Sequence, residues 1–326
     1  MNYAELTASL EPLYGRGEAK AIARMVMEER FGLSQTDILL GRDADLSLKE
    51  RSELEIIASR LAKGQPVQHV LGYATFCGRR FRVTPDVLIP RPETEEIIGN
   101  VMDFCRQAAS LEGRQSMSIG ERLSASTGEV LDLGTGSGCI AITLALLLPK
   151  VHITTVDISE AALAVALENA ANLGADNVEF LQHDMLDTEG LTAHITHRTH
   201  QLAERDSHVS TSCLTTAQST TCDIIVSNPP YVRQNEAASM HTNVLEHEPH
   251  TALFVPDDDP LIFYRAIADI ADRHLAHDGL LMVEINSALP HPTAAIFQER
   301  GFATEILTDQ FGQPRFVKAR RNPNHT

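Results

Sequence analysis

Basic residues are scarce in this sequence. Lys and Arg number 27 against 44 Asp and Glu over 326 residues, a formal net charge of −17. Such a surface repels phosphate backbones on average, which disfavours a protein dedicated to coating DNA or RNA. Cysteines are few: Cys77, Cys105, Cys139, Cys213 and Cys222 are odd in number and show no C-x-x-C spacing. That argues against a disulfide framework or a cysteine zinc site. Long apolar runs are missing too. The longest, Cys139 to Leu148, is broken by Thr143 and stopped by Pro149, well short of the ~18 residues of a membrane span. No basic stretch leads into an apolar one at the N-terminus, where Glu5 and Glu11 come early. This predicts no signal peptide and a cytoplasmic protein. What is present is an ordinary globular balance, 43% hydrophobic and 22% charged, in a length that suggests roughly two domains.

Residues 1–72 read as helical. Ser47 and Glu50 form a capping-box pattern ahead of Leu54, Ile57, Ala58 and Leu61, which share one helical face, and Gly64 supplies a stop. Ile22, Met25 and Val26 mark an earlier helix. Residues 73–90 change to β-branched and aromatic residues between Gly78 and Pro85 and predict a hairpin linker. Pro92 is expected to open a helix with Ile97, Val101, Phe104, Cys105 and Ala108 on its apolar face. Residues 109–127 read as a loop.

From Glu129 the pattern alternates. Strands are predicted at 129–133, 151–156, 178–181, 223–226 and 279–285, and helices at 139–148, 161–171 and 261–275. The alternation predicts an α/β domain with a parallel sheet covered on both faces, here 91–326. Residues 188–221, half of them Thr, Ser or His, show no steady period and read as an inserted mobile loop. His194, His197 and His200 are spaced for one helix face, but no Cys or carboxylate partner stands at matching spacing, so a solvated insertion is favoured over a metal site.

The first of these strands runs into Gly134-Thr135-Gly136-Ser137-Gly138. Glycines there permit a sharp turn and close approach of a ligand to the backbone. The spacing is G-x-G-x-G, where a nicotinamide dehydrogenase prefers G-x-G-x-x-G. Asp132 ahead of it suits a cationic ligand end better than a pyrophosphate. Asp157 ends the second strand, where a carboxylate can accept both ribose hydroxyls of an adenosine. Asp184 and Met185 end the third; they can meet an adenine amine and pack on its ring. Together these describe an S-adenosylmethionine cleft at the carboxyl ends of the strands.

The fourth strand ends in Ser227-Asn228-Pro229-Pro230-Tyr231. The prolines fix the backbone and remove two donors, and Asn228 adds a side-chain carbonyl. Paired acceptors suit a planar NH₂ group, and Tyr231 can stack on a flat amide or base. An amide nitrogen is a poor nucleophile. Acceptors that hold its hydrogens bind more strongly as positive charge grows on nitrogen, so they favour transfer of a methyl group to it.

VLDLGTGSGCIAI, VDIS, IIVSNPPYV, EPHTALF and GQPVQHVLGYATFCGRRFRVTPDVLIPRPETEE together resemble the HemK/PrmC family of release-factor glutamine methyltransferases over nearly the whole chain. The resemblance implies a helical substrate-recognition domain (1–72), a β-hairpin linker (73–90) and a class I, Rossmann-like methyltransferase domain (91–326). It implies methylation at N5 of the glutamine in the Gly-Gly-Gln motif of class 1 peptide chain release factors. Gly134, Thr135, Gly136, Ser137, Gly138, Asp157, Asp184, Met185 and Asn228 would contact S-adenosylmethionine, with Met185 standing where some members carry Trp. Asn228, Pro229, Pro230 and Tyr231 would hold the substrate amide, Asn228, Pro229 and Tyr231 acting in catalysis. Pro90-Arg91-Pro92-Glu93-Thr94-Glu95 follows the release-factor pattern; sister enzymes of ribosomal-protein glutamine carry Ser-Pro-Ile after the Arg. Arg91 holds the linker, reaches the substrate, or forms a structural ion pair with a nearby Glu. Competing readings are a methyltransferase of adenine N6 or guanine N2, and an inactive scaffold. Against the first stand the acidic charge and a basic cluster of only Arg79, Arg80 and Arg82; against the second stand the intact Asn228 and glycine loop. No sustained heptad appears, and a monomer is expected.

Overall fold

The computed structural model describes residues 1–109, 119–124, 128–205 and 221–322. Helices α1 (Tyr3–Phe31), α2 (Gln35–Leu39), α3 (Leu48–Leu61) and α4 (Val67–Leu71) come first. Gly15 kinks α1 by leaving helical geometry at φ +72°. The Ser47 side chain accepts from the Glu50 N–H, and Glu50 accepts from the Ser47 N–H at 2.8 Å, the predicted capping box. Leu54, Ile57, Ala58 and Leu61 pack against Leu6, Leu10, Val26 and Met27 of α1 in a core of their own.

Strands β1 (Tyr73–Phe76) and β2 (Arg79–Arg82) form the predicted hairpin. Cys77 (φ +47°) and Gly78 (φ +71°) make its turn, both left-handed, which matches the twist of the flanking strands. The segment beyond it lies along helix α8 (Glu160–Leu173), where Val83, Val87 and Ile89 meet Ala162 and Val165.

The main sheet contains β3 (Glu129–Leu133), β4 (His152–Asp157), β5 (Val178–Gln182), β6 (Cys222–Ser227), β9 (Leu275–Glu284), β10 (Phe302–Thr308) and β11 (Pro314–Arg321); β7 (Val232–Arg233) and β8 (Phe254–Val255) pair separately. Its order is β10-β11-β9-β6-β3-β4-β5. Strands β5, β4, β3, β6 and β9 pair in parallel, and β11 is antiparallel to both its neighbours. Alternate residues feed two cores. Val130, Ile224, Val226, Leu280 and Met282 face α5 (Glu95–Ala109) and α7 (Cys139–Leu147). Leu131, Leu133, Ile225, Leu281 and Val283 face α9 (Thr188–Arg205), α11 (Ile262–His274) and α12 (Pro290–Glu299). The period of two along each strand places the two sets on opposite faces. Two further helices are short, α6 (Ile119–Ser124) and α10 (Thr242–His247). The chain winds outward from β3 to β4 and β5 on one side and from β6 to β9 on the other, so a crevice opens at the carboxyl ends of β3 and β6.

Four expectations are corrected. The sheet is not wholly parallel, because the C-terminal hairpin β10–β11 inserts one reversed strand. Helix α5 begins at Glu95, not Pro92; Thr94, Glu95 and Glu96 donate to residues three back, so Pro92–Thr94 is a tight turn. The expected loop 109–127 contains α6, whose Arg122 bridges Asp223 at 2.6 Å and Asp278 at 2.7 Å. Residues 188–205 are helix α9, held by buried Leu191 and Ile195 one turn apart. His194 is exposed on α9. The side chains of His197 and His200, residues 206–220 and Cys213 lie outside the described residues.

Candidate active site

The glycine loop leaves β3 through Gly134 (φ +88°) and Gly136 (φ +53°), backbone states that favour glycine. Its first two N–H groups, of Gly134 and Thr135, donate to the Val156 carbonyl at 2.8 and 3.0 Å. The Gly136 N–H donates to Asp157 Oδ2 at 2.8 Å, and the Ser159 N–H to Oδ1 at 2.9 Å. Both oxygens of Asp157 are therefore fixed at the tip of β4. Burial raises the Asp157 pKa, and these N–H groups act in the opposite sense.

Gly138 serves packing. A Cβ there would lie 2.6 Å from Ile142 Cδ1 and 3.1 Å from Ala166 Cβ. Its bare backbone lets α7 start close against α8. Buried Asn169 of α8 accepts from the Arg82 N–H at 2.7 Å, and its Nδ2 donates to the carbonyls of Arg82 (3.0 Å) and Ser137 (2.9 Å). One side chain thus joins the hairpin linker to the glycine loop.

Asp132 does not face the ligand space as expected. It is fully buried behind the loop, where its Oδ2 accepts from the Thr155 hydroxyl at 2.8 Å, and Thr155 meets the Thr135 hydroxyl at 2.5 Å. Its Oδ1 has no partner among the described residues. Burial pushes its carboxyl up to about 7. Asp132 shapes the loop from behind.

A cavity of about 340 Å³ opens above. Gly134, Thr135, Gly136, Ser137, Asp157, Asp184, Met185, Asn228 and Pro230 all line it, although they come from four strand tips. Leu88, Pro90, Arg91 and Thr94 close one side, and Phe254 and Phe263 another. Gly138, Pro229 and Tyr231 do not line it. Pro229 is buried. Tyr231 packs toward the second core, and its hydroxyl donates to Glu284 Oε1 at 2.9 Å.

Asn228 Nδ2 donates to Thr94 Oγ1 at 3.2 Å, and the Thr94 hydroxyl donates to Glu284 Oε2 at 2.7 Å. Glu284 is fully buried, and desolvation pushes its carboxyl up to about 7. Arg91 pairs with Glu248 Oε1 at 2.7 Å, while Glu248 Oε2 accepts from the Ile89 N–H at 3.1 Å. Arg91 makes the expected ion pair and also lines the cavity. Thr94, Asn169, Glu248 and Glu284 escaped the sequence reading as contributors to the site. Glu284 carried a signal, a carboxylate closing the apolar strand LLMVE.

The donor set fits S-adenosylmethionine. A fixed carboxylate at the tip of β4 can accept ribose hydroxyls, and the Met185 thioether at the cavity wall can pack on a purine. Gly134 supplies closeness as well: a Cβ there would lie 3.4 Å from Met185 Cε and 3.7 Å from the Asn228 carbonyl oxygen.

Two family descriptions match the chain, a PrmC N-terminal domain at residues 3–72 and a methyltransferase domain at residues 124–196. The release factor glutamine methyltransferase of Bacteroides thetaiotaomicron is 37% identical over 319 residues, 98% of each chain. That of Flavobacterium psychrophilum is 34% identical over 97% of each. The Streptococcus pneumoniae protein of the same name is 33% identical over 97% of this chain and 98% of its own. The chain belongs to the release factor glutamine methyltransferase family. Its cofactor is S-adenosylmethionine; Gly134–Ser137, Asp157, Asp184 and Met185 line the cavity that would take it.

Proposed function

We propose that this chain methylates N5 of the glutamine in the Gly-Gly-Gln motif of class 1 peptide chain release factors. The observation that carries this reading is that Asn228 and the Gly134–Ser137 loop line one cavity. The names of the full-length relatives supply the substrate class. S-adenosylmethionine, when bound, supplies an electrophilic methyl group. Asn228 Oδ1 accepts one N–H of the substrate amide and turns its nitrogen toward the cofactor side of the cavity. That acceptor binds more strongly as the nitrogen becomes cationic, so it acts on the transition state more than on the ground state. Apolar walls from Leu88, Phe254 and Phe263 exclude water and strengthen the contact.

Residues 1–72 would recognise the protein substrate, with 73–90 linking them to a methyltransferase domain at 91–326. Among the described residues no helix is long and apolar enough to cross a membrane; a cytoplasmic monomer is part of the proposal.

The test is transfer of labelled methyl from S-adenosylmethionine to a purified class 1 release factor. A twin with the Gly-Gly-Gln glutamine replaced, a ribosomal-protein sample and DNA run beside it. Label on the intact factor alone supports the reading. Label on the twin, on ribosomal protein or on DNA, with none on the intact glutamine, overturns it.

A further inference from the structure

The side chain of Asn228 can present either its oxygen or its NH₂ to the cavity, and only the oxygen can hold a substrate amide by its hydrogen. The hydrogen-bond partners decide which it is. Here the partners form a directed chain. Glu284 accepts at both oxygens, from Thr94 Oγ1 at 2.7 Å and from the Tyr231 hydroxyl at 2.9 Å. With Glu284 ionised, its two oxygens can only accept, so the single proton of the Thr94 hydroxyl is committed to Glu284. Thr94 can then only accept from Asn228, so Nδ2 must face it, at 3.2 Å. Asn228 Oδ1 is left toward the cavity, with no hydrogen-bond partner among the described residues.

We infer that Thr94 and Glu284 are positioning residues that set the polarity of the Asn228 amide and so decide that its oxygen meets the substrate. The inference rests on the methyltransferase reading above and deepens it. Thr94 is 2% exposed and Glu284 fully buried, so water does not compete for either bond. Thr94 lies on the tight turn ahead of α5, Glu284 at the end of β9 and Asn228 just past β6. Their meeting joins the start of the catalytic region to two neighbouring strand tips. Thr94 forms part of the cavity wall and Glu284 does not; neither supplies a bond to the substrate amide. Their effect reaches the reaction only through Asn228.

The experiment compares Thr94→Val, Thr94→Cys and Thr94→Ser in the full-length protein. Valine removes the acceptor, cysteine keeps volume with a weak acceptor, and serine keeps the hydroxyl. With a release factor as substrate, Thr94→Val and Thr94→Cys should lower kcat about tenfold, the equivalent of one lost hydrogen bond. Substrate KM and cofactor Kd should stay within about threefold, because the interaction is one made in the transition state. Thr94→Ser should restore kcat. A second readout needs no substrate: the side-chain ¹⁵NH₂ signals of Asn228, assigned by their loss in Asn228→Ala, should move in the Val and Cys variants and return in Ser. Wild-type kcat and unmoved Asn228 signals in either the Val or the Cys variant overturn the inference. If the wild-type protein leaves release factors unlabelled, the functional reading falls instead, and the Asn228 signals still decide the role of Thr94.

Discussion

Arg91 and Glu248, 157 positions apart, meet at 2.7 Å, with Arg91 on the wall of the cavity. The Glu248 side chain is 1% exposed and that of Arg91 30%, so the pair is buried on the acid's side and half-open on the base's. Removing the base strands a charge that also holds the Ile89 N–H. Arg91→Met should destabilise the protein by about 2 kcal/mol, less than for a fully buried pair. Glu248→Gln, which can still accept from Ile89, should cost less. A double-mutant cycle by urea unfolding should give a coupling above about 0.5 kcal/mol; additive effects would show that the contact is incidental.

Asn228→Ala should lower methyl transfer about 100-fold, the scale for removing one group that binds developing charge. Cofactor affinity, measured by calorimetry, should change far less. Unchanged transfer would remove Asn228 from the mechanism.

Asp157→Ala should weaken S-adenosylmethionine binding by about 10- to 100-fold, since hydrogen bonds to a charged acceptor are worth ~1.5–3 kcal/mol. It should also loosen the glycine loop, because the Gly136 and Ser159 N–H groups lose their acceptor. Hydrogen exchange at Gly136 should rise in the cofactor-free variant. Protection equal to wild type would separate the carboxylate from the loop.

Asp132 titrates from an ordinary value of 3.8 up to about 7 because it is buried. The folded state therefore binds a proton that the unfolded state has released between these values. Its contribution to stability is fullest below 3.8 and declines as pH rises toward about 7. Asp132→Asn has no such decline. Its stability relative to wild type should grow between about pH 4 and pH 7 and then level off, by on the order of a few kcal/mol. Urea unfolding across that range measures it, and parallel curves would disprove the assignment.

Gly138→Ala should destabilise by about 3 kcal/mol, combining a left-handed φ with overpacking against Ile142 and Ala166. Gly136→Ala, with φ +53° and no atom within 4 Å of the added carbon, should cost only about 1 kcal/mol. Equal costs would mean that packing at Gly138 relaxes freely.

Much of the cavity lining was legible because its requirements are local. Gly134 and Gly136 need left-handed backbone, Asp157 needs a strand tip, and all of these are short-range patterns. Two polar segments misled. Leu191 and Ile195, one turn apart among Thr and His, are buried where α9 meets α11 and the sheet. Pro92 suggested a helix start, yet the chain makes a tight turn there that carries Thr94 to Glu284.

The sequence by itself determined the alternation of strands and helices, the hairpin, the glycine loop and the Asn-Pro-Pro-Tyr tip, since period, turn chemistry and proline act over a few residues. Tertiary structure alone decided which polar atoms face one another. Asp132 turned inward and Gly138 met Ala166 because neighbouring strands and helices packed there. Thr94 and Glu284, 190 positions apart, carry no mutual signal along the chain. Their bond exists because α5 packs on β9 and so sets the turn that carries Thr94 against the buried end of that strand.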